Sequence, residues 1–171
     1  VSGNEKKKYR YRPLIPDIRF LHFNKVDDLN QITTKTAAVI IEPVQGDAGV
    51  RIPSREFMHV LRRKCDDTGA ILIFDEVQTG FGRTGKLFAF EHFNVVPDIL
   101  TMAKAMGGGM PIGAFVSSRE KMLSLSHDPI LGHITTFGGH PVNAAAALAT
   151  LQVLVDEGLI EQAENKGVLF E

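Results

Sequence analysis

A carboxylate and a lysine, each at the end of a short apolar run, are the residues of this sequence best placed to do chemistry. Ile71 to Phe74 runs into Asp75 and Glu76, and Ile99 to Ala103 runs into Lys104, with Gly107, Gly108 and Gly109 close behind. Four or five apolar residues are too few for a helix but suit a strand buried on both faces. Open α/β sheets bind ligands at the C-terminal ends of such strands. A lysine set among Met102, Ala103, Ala105 and Met106 would be poorly solvated as an ammonium. That favours the free amine, the nucleophile a Schiff base requires.

Two other patterns overlap this stretch. Gly80, Gly82 and Gly85 spell G-x-G-x-x-G, the dinucleotide fingerprint, but Asp75 to Thr79 stand between the strand and the first glycine, which should follow it closely. Gly80 to Lys86 also spell G-x-x-x-x-G-K, yet Leu87 occupies the place of the magnesium-binding Ser or Thr, and the acidic strand precedes the loop in the wrong order. From the residues alone, a nucleotide-binding module on the Gly80–Lys86 loop stays an alternative. So do a buried ion pair for Asp75 and a surface position for Lys104.

D-E-V-Q-T-G-F-G-R-T-G-K from Asp75, followed by P-D-I-L-T-M-A-K-A-M-G-G-G-M-P-I-G-A from Pro97, resembles the signature of the class III (omega-amino acid) aminotransferases, pyridoxal-phosphate enzymes of fold type I. The resemblance implies that Lys104 forms the Schiff base with pyridoxal 5'-phosphate and later acts as the base that moves the substrate proton. It implies that Asp75 pairs with the pyridine nitrogen, keeping the ring an electron sink. Val77 matches the position that packs on one ring face, and Gln78 the one near the phenolic oxygen.

Two flanking motifs extend the resemblance. In E-P-V-Q-G-D-A-G-V, Glu42 matches a residue beside the cofactor that helps order the Gln78 position. Asp47 matches a residue that is glutamate in many relatives, where it gates a substrate-binding arginine; the aspartate is one methylene shorter. In the loop His127 to Gly139, Thr135 and Thr136 stand beside two glycines, and hydroxyls with unhindered amides suit a phosphate. The resemblance sets that loop against the cofactor phosphate of the neighbouring subunit, implying a homodimer with shared active sites. The implied reaction passes an amino group from an omega-amino acid to 2-oxoglutarate. G-G-G-M-P-I-G-A looks more like the acetylornithine and ornithine branch than the 4-aminobutyrate branch. No metal ligand set is read from the sequence. A fragment that keeps the fold without the rest of the site is a further alternative.

The elements that must hold these residues follow from local signals. Val1 to Asp17 reads as an extended linker, since no helix can cross Pro13 or Pro16. Ile18 to Phe23 alternates like a short strand, with His22 a structural histidine at its end, and Val26 to Ile32 gives a weak helical turn or two. Thr36 to Val44 reads as a second buried strand. Ser54 can cap a helix through Asp67 that Gly69 ends, with Phe57, Val60 and Leu61 inward and Arg62, Arg63 and Lys64 on a solvated face. Ile112 to Val116 is another strand, Arg119 to Leu125 a short helix, and Pro141 opens an alanine-rich helix to about Glu157.

This alternation predicts α/β architecture, a three-layer sandwich around a mostly parallel sheet, the large-domain portion of fold type I. Residues 18–157 would be part of that domain, and 158–171 the start of a helix leading to a further, smaller one. With 171 residues, 44% hydrophobic, and a formal net charge of -1, the composition is that of an ordinary globular domain and calls for neither nucleic acid nor an anionic membrane. No run approaches a membrane span and no signal core opens the chain. Its one cysteine, Cys65, cannot form an internal disulfide, which points to a buried thiol in a reducing compartment and so to the cytoplasm. The chain starts at Val1 and is shorter than the family's members, so it is expected to be part of a larger subunit that binds cofactor weakly on its own.

Overall fold

The computed structural model describes residues 3–130 and 132–170. In chain order the elements are a one-turn helix α1 (Glu5–Lys8), β1 (Ala38–Ile41), α2 (Arg55–Thr68), β2 (Ile71–Asp75), β3 (Ile99–Met102), β4 (Ala114–Ser117), α3 (Arg119–His127), α4 (Pro141–Asp156) and α5 (Leu159–Gly167). Short 3₁₀ turns at Val26–Gln31, Ala89–His92 and Lys104–Gly107 lie between them.

The strands form one sheet in the order β1-β2-β3-β4. β1 and β2 pair in parallel, with Ile41 opposite Phe74, and β2 and β3 pair in parallel, with Asp75 opposite Thr101. β4 runs antiparallel to β3. The connections explain the directions. A parallel return needs a crossover of about a dozen residues or more, usually a helix. Helix α2 provides it between β1 and β2, whereas residues 103–113 hold one 3₁₀ turn, too little to carry the chain back to the other end of the sheet.

Helix α2 forms where local signals demand it. The Ser54 hydroxyl accepts from Phe57 N at 3.1 Å, and Gly69 closes the helix in the left-handed region at φ 75°. Its stripe of Phe57, Met58, Leu61 and Cys65 is buried against Leu72 and Phe74 of β2, with Leu29 and Ile32 closing the core. Burial of each such side chain is worth about 1.5–3 kcal/mol. Burial also pushes the Cys65 thiol up to about 11, so it is an inert packing group.

The opposite face of the sheet is less covered. Ile71 and Ile73 are half-buried, and Ile40 is 49% exposed. β1 is therefore an edge strand shorter than the buried segment expected over 36–44. Helices α4 and α5 meet the C-terminal edge of the sheet, α4 at the turn after β3 and α5 at the glycine loop after β2.

Other expectations are corrected. Ile18 to Phe23 forms no strand; it has no partner to pair with, and it is tied down by His22, whose backbone N donates to Asp28 Oδ2 at 2.9 Å. Within the expected linker, Asn4 caps the single turn α1, and Pro13 falls beyond the helical residues. Arg62 is not on a solvated face: it is half-buried, with Nη1 2.9 Å from Asp98 Oδ2. No single helix among the described residues is long and apolar enough to cross a membrane.

Candidate active site

The sheet register assembles the site. Asp75 is the last residue of β2, and Glu42 follows Ile41, whose partner is Phe74, so the two carboxylates leave neighbouring parallel strands side by side. Lys104 lies two residues beyond the end of β3, the strand on the other side of β2. Gln78, three residues after Asp75, accepts from the lysine, its Oε1 2.5 Å from Lys104 Nζ. Asp75 Oδ1 accepts from Val77 N at 3.1 Å, which fixes the carboxylate over the turn that leads to Gln78.

Glu42 feels this surrounding charge. Its carboxyl is held above the ordinary range by burial first, then by the negative charges of Asp75 and Asp47, with the Lys104 ammonium opposing them. Glu42 is half-buried and Asp47 is exposed. The loop that carries Asp47 closes as a tight hairpin, Gln45 and Arg51 exchanging backbone hydrogen bonds at 3.0 Å. Gly46 brings that loop against Gln78, since a Cβ at Gly46 would lie 3.2 Å from Gln78 Cγ. The two acidic motifs thus meet at the glutamine that touches the lysine.

Lys104 itself differs from expectation. Met102 is buried but Lys104 is exposed, so its sequence neighbours do not strip it of water. The backbone breaks from the strand at Ala103, and Lys104 sits in the left-handed region at φ 48°. For a residue with a side chain that conformation costs about 1–3 kcal/mol and persists only where the surroundings impose it. Helix α4 packs on the turn just beyond Lys104. Gly108 approaches that helix so closely that a Cβ would lie 2.1 Å from Thr150 Oγ1, and Asn143 Nδ2 donates to Pro111 O at 2.7 Å.

The remaining residues read from the sequence are placed as follows. Val77 is half-buried beside the cluster. Thr135 and Thr136 lie in a loop exposed from Gly132 to His140, and share no hydrogen bond with the cluster among the described residues. His133 anchors that loop to β4, its ring 5.3 Å from the Phe115 ring.

The glycine loop is not built as a phosphate cradle. Gly80 N donates to Glu76 O, Gly82 N to Leu87 O and Gly85 N to Gly82 O, so these amides are spent within the loop. A 3₁₀ turn follows it, not the helix whose N-terminus a P-loop requires. Gly82 and Gly85 serve α5, since a Cβ at Gly82 would lie 3.2 Å from Ile160 Cγ1 and one at Gly85 2.9 Å from Glu164 Cβ, whereas a Cβ at Gly80 would lie 2.9 Å from Glu76 O. Thr84 is occupied as well, its carbonyl and hydroxyl 3.0 and 3.1 Å from His92 Nε2.

Sequence reasoning assigned no role to Glu76, Asn143 or Thr150. For Glu76 a signal existed: strand alternation places it on the same face as Leu72 and Phe74, toward the core, and it is fully buried. Asn143 carries no local signal, because its partner Pro111 lies 32 residues back, and Thr150, whose hydroxyl donates to Ala146 O at 2.8 Å within its own helix, gives no sign that it also meets Gly108.

Comparison with known proteins gives a consistent result. Residues 7–171 match the family model Aminotransferase class-III. The chain is 45% identical over 170 residues to the [LysW]-aminoadipate semialdehyde/glutamate semialdehyde transaminase of Sulfolobus acidocaldarius, covering 99% of this chain and 43% of that protein. Among solved structures, the ornithine aminotransferase of Toxoplasma gondii, which has pyridoxal phosphate at partial occupancy in its active site, superposes with a TM-score of 0.91 at 34% identity, over 98% of this chain and 39% of its own. The acetylornithine aminotransferase of Elizabethkingia anophelis superposes with a TM-score of 0.83 at 37% identity, over 99% of this chain and 42% of its own. The chain therefore spans less than half the length of each of these relatives.

Proposed function

Because the chain belongs to the class III aminotransferases, a family that uses pyridoxal phosphate, we propose that it carries the cofactor lysine, Lys104, and its partner carboxylate, Asp75, of an enzyme that passes an amino group from an acetylornithine- or ornithine-like donor to 2-oxoglutarate. The observation that carries the reading is the adjacency of β2 and β3, which brings Asp75 and Lys104 to one sheet edge with Gln78 Oε1 on Lys104 Nζ at 2.5 Å.

The residues present fit the cofactor. An exposed primary amine can reach an aldehyde, a carboxylate fixed on a strand end can face a pyridine nitrogen, and half-buried Val77 offers an apolar surface to a ring. When bound, pyridoxal phosphate supplies the aldehyde that takes up the amino group and the ring that draws electrons from the substrate carbon. Asp75 holds a proton on the ring nitrogen by its charge. Lys104 Nζ takes a proton from the substrate carbon and returns it, as a general base positioned by Gln78. Glu42 is assigned a place beside the cofactor, where the hairpin that follows it packs on Gln78 through Gly46, and Asp47 stands at the exposed rim where a substrate would enter.

Thr135 and Thr136 are assigned to the phosphate of a second copy, in a symmetric dimer with shared sites. Their loop is exposed throughout and carries Ile134 at 73% and Phe137 at 79% exposure, apolar surface that an assembly would cover.

The test uses the full-length enzyme. Pyridoxal phosphate should give a visible absorbance band that Lys104→Ala abolishes, and Asp75→Asn should keep the cofactor while losing most turnover. Acetylornithine, ornithine, 4-aminobutyrate and lysine, each offered with 2-oxoglutarate, would identify the donor. A band indifferent to Lys104→Ala, or near-normal turnover in Asp75→Asn, would overturn the assignment.

A further inference from the structure

One carboxylate at this edge has no part in the chemistry above. Glu76 is fully buried, and none of the ion pairs among the described residues includes it. Three donors converge on it instead. Its Oε2 accepts from the Thr79 hydroxyl and from Ala89 N at 2.9 Å, and its Oε1 accepts from Phe90 N at 2.8 Å. Its backbone is equally engaged, with N donating to Thr101 O at 3.0 Å and O accepting from Gly80 N at 2.9 Å.

These bonds do two things at once. They join the end of β2 to β3 next to the lysine turn, and they close the segment from Thr79 to Phe90 back onto Glu76. Gln78 lies inside the turn so formed, between the carboxylate's own residue and the threonine it binds. Three donors and no acceptor around a buried side chain call for a group that only accepts, at two oxygens, which is a carboxylate. A glutamine there would aim its NH₂ at one or more of those donors and leave it unsatisfied. Burial pushes the Glu76 carboxyl up, against the pull of Thr79 and the Ala89 and Phe90 amides.

We infer that Glu76 is a positioning residue: its carboxylate fixes the turn that holds Gln78 Oε1 on Lys104 Nζ. The inference rests on the reading of Lys104 as the cofactor lysine. A loop staple with no influence on the site is the competing account, and stability alone cannot separate the two.

The separating measurement is the pH midpoint of the visible absorbance of bound pyridoxal phosphate in the full-length enzyme, taken beside the melting temperature. Gln78→Leu removes an acceptor from the lysine nitrogen and should lower the midpoint by about one pH unit, the scale of a lost hydrogen bond to a charged group. Glu76→Gln should lower it in the same direction by a comparable amount. The double variant should shift no further than Gln78→Leu alone, because both substitutions break one contact. Thr79→Val, which deletes a single donor, should give a fraction of the shift. A Glu76→Gln enzyme that melts earlier with an unchanged midpoint, or a double variant whose shifts add, overturns the inference. If Glu76→Gln does not fold, Thr79→Val decides: a moved midpoint supports it and an unmoved one overturns it. Failure of the underlying reading looks different, since the wild type would then lack a band that depends on Lys104, and the inference would fall with it.

Discussion

Asp98 should be the residue whose loss loosens the β2–β3 pairing most. Its Oδ2 accepts from Leu72 N and from Arg62 Nη1, both at 2.9 Å, and its Oδ1 stands 3.4 Å from Lys121 Nζ. In Asp98→Ala the Leu72 amide, on a fully buried residue, would have no replacement for its partner, which costs about 1–3 kcal/mol. Arg62 would keep Asp66 at 2.7 Å, but its side chain is only 19% exposed and its buried Nε already has no partner. Breaking a fully buried ion pair costs about 3–5 kcal/mol, but this pair is partly exposed at 19% and 24% and Arg62 keeps Asp66, so its share is about 1 kcal/mol. The Lys121 contact is solvated and adds about 0–1 kcal/mol. The total expected is about 3 kcal/mol, read by urea unfolding of the full-length enzyme followed by circular dichroism. Arg62→Met and Asp98→Ala combined should cost less than the sum of the two.

The pH dependence has a definite sign. Burial would raise the Asp98 carboxyl, but the Leu72 amide and the Arg62 guanidinium outweigh it and hold the group below its ordinary value of 3.8. A carboxyl depressed in the folded state contributes stability above that ordinary value and loses it as the pH falls through the depressed one. Asp98→Ala should therefore flatten the acid limb of the stability curve. A loss below about 1 kcal/mol, or strictly additive variants, would refute the account of Asp98 as the lock on β3.

Gly85→Ala should destabilise by about 2 kcal/mol, because the residue lies at φ 82° and the new Cβ would meet Glu164 Cβ at 2.9 Å; wild-type melting combined with a loss of ATP or NAD binding would restore the nucleotide reading of the loop. Asp28 has its carboxyl drawn down to about 2, first by the His22 amide and then by the His22 ring. The tether it gives the N-terminal arm should persist above the ordinary value of 3.8 and be lost as the pH falls toward 2. The His22 amide proton shift should titrate over that range in the wild type and stay flat in Asp28→Asn. A flat wild-type curve would remove Asp28 from that role.

What could be read from the sequence divides along physical lines. α2 was legible from end to end because each of its determinants is local: a serine hydroxyl within reach of an amide three residues on, an apolar stripe, and a glycine able to adopt φ 75°. Asp75 and Lys104 were legible as strand-end residues for the same reason. Ile18 to Phe23 has a strand's alternation, but a strand needs a partner ladder, and the pattern cannot supply one. The antiparallel return of β4 was implicit in the shortness of residues 103–113. Arg62 was misassigned because Arg63 and Lys64 beside it look solvated, while its partner Asp98 stands on a different element.

The exposed lysine follows from the same distinction. Apolar neighbours in sequence imply a dry lysine only if the strand continues past them, and here it does not: Ala103 turns out of the ladder and Lys104 is forced to φ 48°. That turn is held from two sides by residues far away in the chain. Thr150 of α4 closes on Gly108, and Gln78, held in the Glu76 turn, takes hold of the amine. In the role proposed for Lys104, bonding to a cofactor, leaving it and returning would call for an immobile base and an accessible tip. The geometry provides both, with an overdetermined backbone beneath Lys104 and a single hydrogen-bond acceptor at its nitrogen. Gly108 after the lysine is therefore explained by the approach of α4, as Gly82 and Gly85 after Asp75 are explained by the approach of α5, and none of the three needs a bound nucleotide to account for it.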